Sequence, residues 1–180
     1  MKGVVFTEFL EMVEERYSLE TVDQLIAKAA PGHGGVYTSV GTYPVEEMFA
    51  LVAALAEVSK LPPPVLLRAF GEHLFGRFVK GYPVLFEGVS GPLDLLKRVD
   101  SYIHVEVRKL YPEAELPRFD AVEKSERVLE LTYSSPRRLS DFAHGLIAGC
   151  GKHFGVPLDI ASEDLSDGKG EVVRFTITAG

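Results

Sequence analysis

Cysteine occurs once in this chain, at Cys150, which excludes an intrachain disulfide and any zinc or iron–sulfur site built from several cysteines. A bound metal must rely on histidine or carboxylate. A cationic excess is also missing: 19 Lys and Arg stand against 26 Asp and Glu, a net charge of −7. Neutralising phosphates needs a clustered basic face, so a general polyanion binder is excluded and no nucleic-acid partner is expected. No apolar run approaches the roughly 18 to 20 residues of a membrane span, and no membrane partner is expected. The opening Met1-Lys2-Gly3 segment leads into acidic residues without the long apolar stretch and small-residue cleavage site of a signal peptide. A cytoplasmic location is the expectation.

Hydrophobic residues fill 46% and charged residues 25% of 180 positions, the balance of a folded chain able to bury a core within one domain. Val4, Val5, Phe9, Met12, Val13 and Tyr17 recur at helical spacing, predicting an amphipathic helix that starts almost at Met1. A second helix is expected from about Leu19 to Ala30, capped by Ser18 and ended by Pro31-Gly32-His33-Gly34-Gly35. That glycine run follows no strand and precedes no Lys-Ser/Thr, so it is a turn and not a phosphate loop. Pro44 fits N1 of a helix over Val45 to Val58 with Phe49, Val52 and Leu55 inward. The next helix runs from Val65 to about Lys80, with Leu67, Phe70, Leu74, Phe75 and Phe78 on its apolar face, and another extends from Gly91-Pro92 to Tyr111.

Beyond Tyr111-Pro112 the pattern turns extended. Strands are expected at Pro117 to Val122, Val128 to Tyr133, Val156 to Ala161 and Glu171 to Thr178, with turns at Lys124-Ser125 and Asp167-Gly168-Lys169-Gly170. Between them a helix from about Leu139 to Phe154 turns Phe142, Leu146, Ile147 and Cys150 inward. A helical N-terminal half succeeded by a mixed half predicts an α+β fold with a four-stranded antiparallel sheet.

Two features could carry chemistry. On the helix ending at Tyr111, Leu95, Leu96, Val99, Ile103, Val107 and Leu110 form the apolar stripe, and His104 falls at its edge, about 100° from the centre. It could present a neutral imidazole to a cavity, as an axial haem ligand does, or be a hydrogen-bonded interfacial histidine. Tyr133, Ser135 and Arg137 stand at i, i+2 and i+4, on one face if the backbone is extended. Two hydroxyls and a guanidinium suit carboxylates, although a strand end with a surface arginine has the same spacing. Pro136 removes a ladder donor there, so the chain leaves the sheet.

Together, the Asp100-Ser101-Tyr102-Ile103-His104 segment, the later Tyr133-x-Ser135-x-Arg137 motif and the N-terminal Met1-Lys2-Gly3 resemble the haem nitric oxide/oxygen binding (H-NOX) family, related to the haem domain of soluble guanylate cyclase. The resemblance covers essentially the whole chain and implies a single haem-binding sensor domain, helical over about 1–65 and α/β over about 66–180. It implies haem b (iron protoporphyrin IX) with His104 as proximal iron ligand and Tyr133, Ser135 and Arg137 on the propionates. Pro117 would press the porphyrin out of plane. Val5, Phe9, Leu74, Phe78, Phe142 and Leu146 would line the distal side.

Oxygen-holding members of that family carry a distal tyrosine where this chain has Phe142, supported by an asparagine where it has Leu74. The resemblance therefore implies a ferrous haem that binds nitric oxide and carbon monoxide but not oxygen. Nitric oxide would weaken or break the iron–His104 bond, with Gly71 and Gly145 as hinges. Output is expected to reach a separate histidine kinase or a diguanylate cyclase/phosphodiesterase. The cysteine-rich zinc site of some relatives is absent, given the single cysteine. No enzyme is expected, because Ser140, Asp141 and His144 have no nucleophile elbow or oxyanion loop beside them. His33, His73, His144 and His153 read as solvated or packing residues, His73 and His144 being worth checking as distal ligands. Two alternatives stay open: a haem-free interaction module whose Tyr/Ser/Arg trio binds an acidic partner, and an oxygen-binding member of the same family.

Overall fold

The structure, a computed structural model, describes all 180 residues and comprises two compact units, Met1–Phe70 and Gly71–Gly180. Its seven α-helices and one four-stranded antiparallel sheet place it in the α+β class. No single helix is long and apolar enough to cross a membrane.

The first unit contains α1 (Gly3–Arg16), α2 (Leu19–Ala29), α3 (Val45–Ser59) and the start of α4 (Pro63–Gly81). Ser18 caps α2, its Oγ accepting the Thr21 N–H at 3.1 Å, one of the donors a helix N-terminus leaves unpaired. Phe6, Phe9, Met12 and Val13 form the buried face of α1, with Leu25, Met48, Leu51, Leu55 and Phe70 completing this core. The expected stripe differs in phase: Val4 and Val5 are half-buried and Tyr17 is exposed, while Phe6 is fully buried. The cause lies in the loop before α3, whose Tyr37 ring stacks on Phe6 at 4.5 Å. Phe49, expected inward, is exposed because Met48, Leu51, Val52 and Leu55 carry the buried stripe of α3. Pro44 occupies the N-cap and not N1.

A buried carboxylate holds the glycine turn in this unit. Glu47 accepts the Tyr37 hydroxyl at 2.8 Å and lies 2.7 Å from His33 Nδ1, which must donate because a carboxylate only accepts. Burial pushes the Glu47 carboxyl up, but the bonds from His33 and Tyr37, the His33 charge and the Gly32 amide outweigh it and leave the group lowered.

The second unit continues from α4 through a 3₁₀ turn at Pro83–Phe86 to α5 (Pro92–Lys97), a π-helical turn (Val99–Ile103) and α6 (His104–Leu110). Then come β1 (Arg118–Ser125), β2 (Val128–Ser134), α7 (Ser140–Phe154), β3 (Leu158–Asp164) and β4 (Val172–Ala179). The sheet order is β1-β2-β4-β3, with every neighbouring pair antiparallel. Alternation along β2 and β4 buries Leu129, Leu131, Tyr133, Val173, Phe175 and Ile177 together, against Leu95 and Leu96 of α5 and Ala143, Ile147 and Cys150 of α7. β1 runs through the expected Lys124-Ser125 turn, which falls instead at Glu126-Arg127. Its side chains are mostly exposed, so pairing with β2 holds it without an apolar period to announce it. β3 starts later than expected because the Val156 amide is used to finish α7, donating to the Gly151 carbonyl at 3.0 Å.

Candidate functional site

The chain from Gly91 to Tyr111 is not one continuous α-helix. In the π turn the Ile103 amide donates to the Arg98 carbonyl at 3.1 Å and the His104 amide to the Val99 carbonyl, an i to i−5 pattern that is frequent at functional sites. The wider turn rotates the residues C-terminal to it. His104, placed by a regular helical period at the edge of the stripe, is buried at 8% exposure, and Leu110, placed within the stripe, is exposed.

The imidazole is held on two sides. Its Nδ1 lies 3.2 Å from Asp100 Oδ1, and the same oxygen accepts the Phe119 backbone N–H at 3.4 Å. The Phe119 ring lies 5.8 Å from the imidazole and 5.7 Å from the Tyr133 ring, centroid to centroid. Burial lowers the His104 pKa, the hydrogen bond and charge of Asp100 oppose this, and Arg108 adds to the lowering, with a net downward shift. Around neutral pH the ring is therefore uncharged. With Nδ1 donating to a carboxylate, the lone pair resides on Nε2, in the form a metal requires. Asp100, quoted from sequence only as part of the His104 segment, and Phe119 are additions to the candidate site residues. The i, i+4 spacing of Asp100 and His104 is a legible pairing signal, whereas nothing local links Phe119 to them.

The Tyr/Ser/Arg trio does not share one strand face, because β2 ends at Ser134. Tyr133 is buried and its hydroxyl accepts the Leu139 N–H at 3.0 Å. Ser135 opens a tight turn: its Oγ accepts the Arg137 N–H at 3.2 Å and its carbonyl the Arg138 N–H at 3.4 Å, with Arg138 at φ 54°. Each hydroxyl accepts in these bonds and retains its own proton for donation. Arg137 donates Nη1 to the Glu115 carbonyl at 2.8 Å and pairs with the Glu115 carboxylate. The guanidinium is thus already engaged with a carboxylate.

Pro117 is half-buried immediately before β1. Of the expected distal residues, Leu74 is buried and Phe78, Phe142 and Leu146 are half-buried in the second unit. In the first unit Val5 is half-buried and Phe9 is buried, with Phe70 edge-on at 5.1 Å. Gly71 and Gly145 meet where α4 crosses α7. A Cβ on Gly71 would overlap the Phe142 carbonyl and come within 2.7 Å of Leu146 N and 2.8 Å of the Gly145 carbonyl carbon. His153 packs among Phe75, Phe86 and Phe154, and His144 lies edge-on to Phe175 at 6.0 Å.

No group of three or more His, Cys, Asp or Glu side chains is arranged to hold a metal ion. A lone buried imidazole with its Nε2 lone pair available would suit an iron whose other ligands come with its cofactor, as in haem. The donor trio at the end of β2 and in the turn that follows it suits the carboxylates of such a group.

The fold and this donor set define a haem-binding sensor class. The family model for haem-NO-binding (HNOB) proteins matches residues 2–162, and the chain belongs to that family. A comparison with curated protein sequences gave no significant match. Among solved structures, the Fe(II) unliganded H-NOX protein from K. algicida superposes with a TM-score of 0.94 at 38% identity, covering 100% of this chain and 97% of that one. The S. oneidensis H-NOX protein in the Fe(II)NO state gives 0.92 at 28% identity, with 100% and 99% covered. The IWP-051-bound H-NOX from Shewanella woodyi in the Fe(II)CO state gives 0.85 at 38% identity, with 100% and 95% covered.

Proposed function

We propose that this protein is a single haem b sensor domain for nitric oxide and carbon monoxide that excludes oxygen and regulates a separate signalling protein. The observation that carries the reading is the buried His104, whose Nδ1 faces Asp100 and whose Nε2 remains to take an iron. Bound here, haem would supply a ferrous iron able to take a diatomic gas, with His104 as the protein's ligand to it. Tyr133, Ser135 and Arg137 would hold the propionates, Arg137 exchanging the Glu115 carboxylate for one of them. Pro117 would press on the macrocycle from its place ahead of β1.

Leu74, Phe78, Phe142 and Leu146 would keep the gas side apolar. Neither Phe142 nor Leu74 can donate a hydrogen bond, and a charge-assisted bond to bound dioxygen is worth about 1.5–3 kcal/mol, about ten- to a hundredfold in affinity. Oxygen loses that support. Nitric oxide and carbon monoxide need less of it, in line with the Fe(II)NO and Fe(II)CO states of the S. oneidensis and S. woodyi relatives. His104 would couple the gas to α6, its hold on the iron weakened or broken by nitric oxide, and Gly71 and Gly145 would be the hinges. The partner is a histidine kinase or a diguanylate cyclase/phosphodiesterase, and the protein itself is no enzyme. Absorbance of the reduced protein tests this: the ferrous spectrum persists in air and changes with nitric oxide and with carbon monoxide. A stable oxy spectrum in air contradicts it.

A further inference from the structure

We propose that Asp100 is a positioning residue for the iron ligand: its Oδ1 fixes the His104 imidazole as the Nδ1–H tautomer and ties it to the first residues of β1 through the Phe119 amide. The inference rests on the haem reading proposed for His104. One carboxylate oxygen lies 3.2 Å from His104 Nδ1 and 3.4 Å from Phe119 N. The two side chains differ in solvation, His104 being 10% and Asp100 40% exposed. A carboxylate oxygen only accepts, so the ring nitrogen that faces it must bring the proton, and a buried N–H has no water to turn to. The proton therefore stays on Nδ1, the ring stays in one orientation, and Nε2 keeps the lone pair.

The bond also changes the ligand. An imidazole whose far N–H donates to a carboxylate is a stronger base at its other nitrogen, so Asp100 strengthens the bond from Nε2 to iron. The second contact of the same oxygen reaches the sheet, where Phe119 pairs with Tyr133. A helix-surface Asp–His pair of the ordinary kind explains neither the buried partner nor the shared oxygen. Asp100 thereby links the helix that carries the iron ligand to the strand leading to the propionate side.

Haem-loaded wild-type, Asp100→Ala and Asp100→Asn proteins test this by resonance Raman spectroscopy of the ferrous state and by haem transfer to apomyoglobin, with far-ultraviolet circular dichroism as the folding control. Losing a residue that orients a ligating histidine costs about ten- to a hundredfold in metal affinity, and Asp100→Ala is expected to speed haem transfer by about that factor and to lower the iron–histidine stretching frequency. Asp100→Asn keeps an oxygen for both N–H groups but loses the charge. It is expected to recover most of the haem retention while its frequency stays below wild type. Equal frequencies in all three proteins overturn the proposal, even if haem transfer changes, because Asp100 would then act through packing alone. A wild-type protein with no Soret band overturns the haem reading itself, and the proposal with it.

Discussion

The ring of Phe119 lies 5.8 Å from the imidazole of His104, and this contact joins the helix carrying the candidate ligand to the edge of the sheet. Because Phe119 also meets Tyr133, its removal opens space beside both groups. Phe119→Ala is expected to cost about 2–3 kcal/mol, below the about 3–5 of a fully buried ring, because Phe119 is only half-buried. Phe119→Leu is expected to recover most of it. Urea unfolding of the variants, monitored by circular dichroism, checks both values.

Gly71 and Gly76 sit on the same helix and predict opposite outcomes. A Cβ at Gly71 would meet the backbone of α7, whereas one at Gly76 meets nothing within 4 Å. Gly71→Ala forces the helices apart and is expected to destabilise by about 1–3 kcal/mol, as overpacking does. Gly76→Ala removes helix-interior backbone freedom and is expected to stabilise by about 0.5–1 kcal/mol. Thermal unfolding midpoints give the signs directly.

Glu47 makes the stability of the first unit depend on acid. Burial opposes its charge, but His33, Tyr37 and the Gly32 amide outweigh burial and lower its pKa. A carboxyl lowered on folding contributes stability that is present above the unfolded-state value and is lost as pH falls through the folded value. Denaturant midpoints should therefore fall as the pH drops through and below the usual carboxylate range, and Glu47→Gln should flatten part of that decline while lowering stability at neutral pH.

Cys150 should be inert while the protein is folded. Its thiol is buried, and burial pushes the pKa up to about 12, so the reactive thiolate is scarce at ordinary pH. A thiol reagent at about pH 8 is expected to label it only on unfolding, at the rate of the opening reaction. Fast labelling of the native protein contradicts this.

Sequence was legible wherever side-chain periodicity governs structure. Leu129, Leu131, Tyr133, Val173, Phe175 and Ile177 alternate, and the two central strands were legible for that reason. β1 extends beyond its expected end at Val122 because its exposed residues obey pairing with β2 and not burial. The burial of His104 was hidden by the π turn, since a regular helical period assumes a turn that the backbone does not make. The trio was legible as a motif, but its shared face was not, because the chain turns at Ser135 to start α7. The burial of Phe6 leaves no mark in the helical period because its partner, Tyr37, lies in a loop. Asp100 was readable from its spacing to His104, whereas Phe119 comes near only through the fold.

The most direct test of the central claim, that His104 holds a haem iron through Nε2, is the absorbance spectrum of the reduced His104→Gly protein with and without imidazole. The Soret band of the wild type is expected to be lost or strongly diminished in the variant and to return when imidazole occupies the vacated position. An unchanged Soret band in His104→Gly without imidazole would contradict the claim.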